Sequence, residues 1–299
     1  MYNTNNLRIL WEIGTDGLQY NNIITATSGI SADYGVLNIK SDLLEAKYRV
    51  AEKNIFIQID VGRVDDGTTP RTKSIAIDTL GLLSTNLTLD AIIQVYGYGD
   101  AYSSTPLATI IQSQGTLIIS KSKRDLCNND EYQNDLVYVS DDEDTRQFRH
   151  FLILIQDLNN LNSYLEIGRL IGGQSTILEE NNLLNGASNF NEQFNFEEIV
   201  YSDTVNLNGY STIANERAVR RKVSLEFSNL NIISSNYRAL KRMWGYCKDN
   251  KKMLVIPAPT IATYFHCYAK LANIPKQTIN YVDNNNIFSN FTLEFDEAK

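Results

Sequence analysis

Residues 146–173 constrain the fold more than any other part of the chain. Residues 148–155 are aromatic and β-branched and contain no Gly or Pro, which is the composition of a buried or half-buried strand. Residues 157–163 are rich in Asn, Asp and Ser, whose side chains cap turns. Residues 164–171 predict a second strand, which Gly172 and Gly173 close. The stretch therefore predicts a two-stranded hairpin that completes a sandwich of strands.

Short apolar runs separated by turn signals recur before this hairpin. They occupy residues 7–13, 23–27, 36–39, 54–60, 74–78, 91–97 and 115–119. Several of them alternate apolar and polar residues, as at Ile55, Ile57 and Ile59, which places one face on a core and the other towards water. We therefore expect a mostly β protein in which residues 1–173 form an antiparallel jelly-roll β-sandwich.

The composition becomes rich in Asn and Glu after the hairpin. Residues 174–208 predict a connector or an extended arm, because so polar a stretch is uncommon inside a compact domain. Phe190, Phe194 and Phe196 are apolar anchors within it and suit docking along a neighbouring subunit. A partly ordered loop between two domains is the alternative.

The last part of the chain predicts a small α+β domain. Residues 217–228 predict a strand, and Ser234 or Ser235 can cap a helix over residues 236–249. One side of this helix carries Tyr237, Leu240, Met243, Trp244 and Cys247. Three more strands are predicted at residues 251–256, 262–272 and 287–295. We expect residues 209–299 to form a smaller α+β domain with one helix on a sheet.

Charge and composition argue against several classes of function. A formal net charge of -8 disfavours nonspecific nucleic-acid binding, which needs a surplus of Lys and Arg. Cys127, Cys247 and Cys267 have no CxxC spacing, which favours synthesis in a reducing cytosol. The polar start predicts no secretory signal. No apolar run reaches the ~20 residues of a membrane span, so we expect a soluble protein without membrane insertion.

No motif predicts catalysis, a cofactor or a metal site. His150 and His266 are the only histidines, and each lies inside an apolar run without a partner motif such as G-x-S-x-G or H-E-x-x-H. The acidic runs at residues 65–66 and 141–144 can supply oxygen ligands to Ca²⁺, although a solvated loop is the alternative. We therefore expect a protein that is not an enzyme and has no cofactor, and calcium binding by these loops stays open.

An aromatic stretch near the end of one predicted strand suggests sugar binding. Its tyrosines are Tyr96, Tyr98 and Tyr102. A tyrosine ring can cover a sugar ring at the edge of a sandwich. Tyrosines that pack against a neighbouring strand are the alternative, which we favour.

One basic patch stands out in this acidic chain. It consists of Arg217, Arg220, Arg221 and Lys222. In a chain of net charge -8, the basic patch predicts contact with an acidic neighbour, such as residues 141–144 of another copy.

The segment Y-L-E-I-G-R-L-I-G-G at residues 164–173, preceded by a strand with Arg149 and a D-x-N-N turn, resembles a recurrent segment of tailed-bacteriophage virion proteins. In those proteins a Y-x-E-I-G-R-L-x-x-G hairpin closes a discoidin-like or carbohydrate-module-like jelly roll. The order of the elements that follow is similar, up to a terminal strand ending in L-E-F at residues 293–295. The resemblance implies a structural protein of the tail, baseplate or neck, present in several symmetric copies. It implies no catalytic residues.

The resulting hypothesis is a virion structural subunit, made in the host cytoplasm, whose partners are other virion proteins and copies of itself. Unpaired strand edges and the arm would pair with neighbours by β-augmentation to give a homo-oligomer. A glycan-binding module for attachment to a host surface glycan is the alternative. A glycan hydrolase is a third hypothesis, and it requires two carboxylates that face each other across a groove.

Overall fold

A computed structural model describes residues 7–10, 23–41, 43, 45–61, 63–65, 70–72, 74–88, 90–99, 108–112, 118–119, 134–139, 147–178, 191–207, 211–247, 251–256, 266–273, 275–283 and 286–298. In chain order, the strands are β1 (Leu7–Leu10), β2 (Ile23–Ala26), β3 (Tyr48–Val50), β4 (Asn54–Asp60), β5 (Arg63–Asp65), β6 (Pro70–Thr72), β7 (Thr79–Thr85), β8 (Ile92–Tyr98), β9 (Ala108–Gln112), β10 (Ile118–Ile119), β11 (Asn134–Val139), β12 (His150–Gln156), β13 (Leu165–Gly173), β14 (Thr176–Leu178), β15 (Asn191–Leu207), β16 (Ser211–Asn231), β17 (Lys252–Ile256), β18 (Cys267–Leu271), β19 (Thr278–Asp283) and β20 (Asn286–Glu297). Helix α1 is Ser235–Cys247, and two 3₁₀ turns occupy Ala32–Tyr34 and Val36–Lys40. The prediction of a mostly β protein with antiparallel sheets is confirmed.

Two five-stranded sheets enclose the first apolar core. Their strand orders are β2-β4-β12-β8-β9 and β10-β11-β7-β13-β3, and β5 and β6 form a separate two-stranded ladder. On β4, Ile55, Ile57 and Ile59 are buried while the residues between them are more exposed, as the alternation predicts. Strand β12 adds Phe151 and Ile153 to the same core.

The predicted hairpin of residues 146–173 is wrong in its pairing. Both strands form, but β12 pairs with β4 and β8, whereas β13 pairs with β3 and β7. The turn between them crosses from one sheet to the other, because the two strands bury apolar side chains in one core from opposite sides. The carboxylate of Asp157 fixes this crossing by accepting hydrogen bonds from the backbone N–H of Thr88 (2.8 Å) and from Nδ2 of Asn160 (2.9 Å).

An eight-stranded sheet contains the remaining strands. Its order is β14-β1-β17-β18-β20-β16-β15, and β19 lies beside β20. Strand β1, from the start of the chain, lies between β14 and β17. The two five-stranded sheets are therefore built from the part of the chain between β1 and β14.

Helix α1 covers one face of the eight-stranded sheet, as the sequence predicts. Ser234 caps it, because its Oγ accepts the backbone N–H of Tyr237 (3.2 Å). All five predicted core residues of the helix are buried and belong to one cluster with residues of β16, β17, β18 and β20. Within this cluster, the ring of Trp244 meets that of Phe291 edge-on with 5.0 Å between the centroids.

The five-stranded sheet that contains β7 and β13 is buried on both faces. One face meets the other five-stranded sheet, and the opposite face meets the eight-stranded sheet through a third apolar cluster. Its members are Leu10, Leu83, Val137, Val139, Ile171, Leu254, Ile256, Tyr268 and Ala298. At Gly81 an added Cβ would lie 2.9 Å from Cγ1 of Ile171 and 3.5 Å from Cδ2 of Leu254, so the sheets approach closely there. This double burial explains why β7 is buried along its whole length.

Candidate functional site

Strands β15 and β16 form a long hairpin whose outer half extends beyond the sheet. Strand β16 pairs with β20 only from Lys222 to Asn231, whereas it pairs with β15 from Ser211 to Ser228. Among the described strands, β15 is thus the one partner of residues 211–221. We call residues 198–207 and 211–221 the arm. At about 3.3 Å per residue, the arm is about 36 Å long.

The arm has no third strand beside it within the described parts of the chain. An isolated two-stranded ribbon is at best marginally stable in water. Its outer edges also carry rows of backbone N–H and C=O groups that can pair with another chain. The arm therefore offers two strand edges for pairing with a neighbour.

A β-bulge interrupts the ladder of the arm. Tyr201 pairs with Ala218, and the next pair is Ser202 with Glu216. Arg217 therefore has no residue opposite it. A bulge bends a strand and increases its twist, so we expect the arm to change direction at Arg217.

Two of the three aromatic residues predicted for the interface lie at the base of this hairpin, and the third lies outside the described residues. The register places Phe194 opposite Leu225 and Phe196 opposite Val223, where β16 also pairs with β20. Phe190 lies outside the described residues. The predicted connector thus contributes strand β15, which forms one side of the arm.

The basic patch lies in and beside the arm. Its three arginines are Arg217, Arg220 and Arg221, all on β16 within the arm. Lys222 follows them, and its Nζ lies 3.2 Å from Oε2 of Glu294 on β20. This hydrogen-bonded carboxylate raises the pKa of Lys222. Residues 141–144, the predicted acidic counterpart, lie outside the described residues, so their contact with the patch stays a prediction.

The tyrosines predicted to bind sugar fall partly on β8. Tyr96 and Tyr98 lie on the face of this strand opposite the core residues Ile93 and Val95. Tyr96 is half-buried, whereas Tyr98 is only 6% exposed and its burial raises its pKa. Tyr102 lies outside the described residues. The glycan-binding alternative therefore stays a prediction.

A buried chain of polar groups joins the five-stranded sheet of β7 and β13 to the eight-stranded sheet. Lys47 Nζ lies 3.3 Å from Oε1 of Glu166 and donates to the backbone carbonyl of Ser84 (2.7 Å). The backbone N–H of Ser84 donates to Oδ1 of Asp135 (2.6 Å). Oδ2 of Asp135 lies 3.4 Å from Nε2 of His266, the residue just before β18. We call these five residues the buried polar chain.

The buried polar chain contains residue types that serve in nucleophilic catalysis. Lys47 also contacts the hydroxyl of Ser84, whose φ of 55° is the one positive value among the described non-glycine residues. However, Ser84 is 2% exposed and His266 is fully buried, so a substrate cannot reach either side chain. The pairing register of β7 and β11 shifts beside Asp135. At this shift, the backbone N–H of Ser84 donates to the carboxylate of Asp135 and not to a backbone carbonyl of β11. The arrangement fixes two sheets to each other.

The other histidine is buried as well. His150 lies on β12 with its Nδ1 3.8 Å from Oδ1 of Asp60. Asp60 also accepts two hydrogen bonds from the guanidinium of Arg149, each 3.0 Å long. These contacts hold a strand end of the sheet together.

The described part of the chain contains no helix with the length and apolar character that a membrane crossing requires. The same ranges contain no group of three or more His, Cys, Asp and Glu side chains that could hold a metal ion. The acidic run at residues 141–144 lies outside them. Neither the models of protein families nor the curated proteins yield a match to this chain.

Proposed function

We propose that this chain is a non-enzymatic structural subunit of a tailed-phage virion, in the tail, baseplate or neck. The resemblance of residues 164–173 to a segment of such proteins supports the class. In this proposal residues 1–173 include a jelly-roll sandwich, and residues 209–299 correspond to an α+β domain. Its partners are other virion proteins and further copies of itself, and it resides in the virion after synthesis in the host cytoplasm.

The arm is the observation that carries the assembly proposal. The arm has two strand edges and no third strand among the described residues. Burial against a neighbour would supply the third strand that such a ribbon needs for stability. Pairing of its backbone with the neighbour gives affinity by β-augmentation.

The two edges of the eight-stranded sheet support one kind of assembly. Its two outermost strands, β15 and β14, lie at opposite edges and differ in length and sequence. Contact between unlike surfaces of two copies is heterologous, and it produces a ring when the rotation closes. A ring of subunits is the form that a tail or baseplate component takes in this proposal.

Shortening the arm tests this proposal. Ile199 and Arg220 face each other in the ladder, so Asn-Gly in place of residues 200–219 joins them by a two-residue hairpin turn. This change leaves the pairing of β16 with β20 in place. We expect light scattering after size exclusion to give a discrete oligomer for the full chain and a monomer for the shortened chain.

Two controls accompany this experiment. The shortened chain should keep the β circular dichroism spectrum and a cooperative thermal transition. Leu161→Ser removes a leucine that is fully exposed on the turn after β12, and it should leave the oligomer unchanged. An unaltered oligomer in a folded, arm-shortened chain would contradict assembly through the arm.

A further inference from the structure

The outer face of helix α1 is basic. Arg238, Lys241, Arg242 and Gly245 are all exposed, and their spacing of three and four residues places them together, opposite the buried side of the helix. We call these four residues the outer helix face. Helix α1 contains no Asp or Glu.

The segment that contains helix α1 is positively charged, whereas the whole chain has a net charge of -8. Residues 235–252 contain six of the 27 Lys and Arg residues and one of the 35 Asp and Glu residues. Within the described ranges, no ion pair links Arg238, Lys241 or Arg242 to a carboxylate. Nζ of Lys241 lies 5.7 Å from the ring centroid of Tyr237. Like charges three and four residues apart destabilise a helix slightly. The isolated subunit therefore gains no ion-pair stabilisation from these charges, whereas an anionic partner would supply it.

Gly245 points independently to a partner. It lies inside the helix and is exposed, and an added Cβ would have no atom within 4 Å. Glycine destabilises a helix interior relative to alanine, so the subunit itself supplies no steric reason for it. A partner backbone that approaches the helix closely would supply such a reason. The three basic side chains flank this point of approach.

We propose that the outer helix face binds an acidic surface of a second copy of this chain. The inference rests on the proposed function, since it names a second contact used in the same assembly. Outside residues 235–252 the chain has a large excess of Asp and Glu over Lys and Arg, so a copy of itself offers the complementary charge. Nucleic acid is disfavoured as the partner because the chain as a whole is acidic.

Neutral substitutions on the outer helix face test the charge contribution. Arg238→Gln, Lys241→Gln and Arg242→Gln are combined in one variant, because glutamine preserves helix propensity. We expect sedimentation velocity over a concentration series at low salt to show self-association weakened about tenfold. Lys276→Gln is the control, since Lys276 is exposed on another part of the chain, and it should change association less than about twofold.

Gly245→Ala tests the close approach and separates binding from stability. Alanine should raise the melting temperature by about 2 °C, because it favours the helix. The same change should weaken self-association about threefold, because the new Cβ meets the partner backbone. A role in the fold of the subunit alone would leave association unchanged.

The outcomes distinguish this inference from the assembly proposal. If the full chain associates through the arm, but the triple-glutamine and Gly245→Ala variants associate like the full chain, this inference fails while the assembly proposal stands. If the full chain never associates at any concentration, both fail. Loss of binding to a labelled DNA duplex in the triple-glutamine variant, with unchanged self-association, would make nucleic acid the partner and overturn the inference.

Discussion

Replacing Asp135 by alanine should destabilise the protein strongly, because this carboxylate links two sheets. It accepts the backbone N–H of Ser84 (2.6 Å) and lies 3.4 Å from Nε2 of His266. Its charge also favours the protonated form of Lys47, whose pKa burial lowers. Asp135→Ala leaves these buried groups without that carboxylate.

The magnitude follows from the two interactions that are lost. A hydrogen bond to a charged group contributes about 1.5–3 kcal/mol. Removing one partner of a buried hydrogen bond also leaves the other group unsatisfied, which costs about 1–3 kcal/mol. The two contributions arise from the same carboxylate and do not add in full, so we expect Asp135→Ala to lower the free energy of unfolding by about 3–4 kcal/mol. Asp135→Asn keeps an oxygen that accepts the N–H of Ser84, and its loss should be about 1–2 kcal/mol.

Urea unfolding at neutral pH, followed by circular dichroism, measures these losses. Asp33→Ala is the matched control, because Asp33 is exposed in a 3₁₀ turn and its removal should change the free energy of unfolding by less than about 0.5 kcal/mol. A loss below about 1 kcal/mol for Asp135→Ala would refute the argument that the buried polar chain joins the sheets.

Two further predictions concern a buried carboxylate and a buried glycine. Burial raises the pKa of Asp78 above its ordinary value of 3.8. Between the pKa of the unfolded state and that of the folded state, only the folded protein keeps this proton. The free energy of unfolding of the wild type therefore declines as the pH rises through the folded pKa. Asp78→Asn should therefore gain stability relative to the wild type from about pH 4 upwards in urea unfolding, and a constant difference across this range would contradict a raised pKa of this carboxyl group. At Gly97 an added Cβ would lie 2.6 Å from Cγ of the buried ring of Phe148, so Gly97→Ala should lower the free energy of unfolding by about 1–3 kcal/mol. Gly245→Ala is the comparison, because the added Cβ there meets no atom of its own subunit. Equal melting temperatures of the two variants would refute the steric argument.

The local elements could be predicted because their signals are local. Alternation at Ile55, Ile57 and Ile59 predicts a half-buried strand, and the Ser234 cap with an apolar stripe predicts helix α1. Both elements occur where the pattern places them. Their physical causes, side-chain burial and capping, act over a few residues.

Pairing could not be predicted, because partners are chosen by burial across the whole chain. Residues 148–155 and 164–171 have the composition of a hairpin, yet they lie in different sheets around one core. Strand β1 pairs with β17, which follows far along the sequence. No local pattern distinguishes these arrangements from a hairpin and an N-terminal edge strand.

The candidate site was only partly accessible to sequence analysis. The basic patch is visible as a run of charges, and residues 174–208 predict a connector or an extended arm. The long strand β15 and its pairing with β16 could not be predicted, because an Asn-rich composition resembles that of a loop. The buried polar chain draws Lys47, Ser84, Asp135 and His266 from separate segments. The outer helix face could be predicted from the sequence, because Arg238, Lys241, Arg242 and Gly245 recur at intervals of three and four residues opposite the apolar side of the helix.

Hydrogen exchange along β15 tests the central claim most directly. The free edge of β15 carries backbone amides that exchange quickly in a monomer, and pairing with a neighbouring strand would protect them. Comparing dilute and concentrated protein, we expect alternate amides of residues 191–207 to exchange at least about tenfold more slowly in the oligomer. Equal exchange in the monomer and the oligomer, both along β15 and along residues 211–221 of β16, would contradict assembly through the arm.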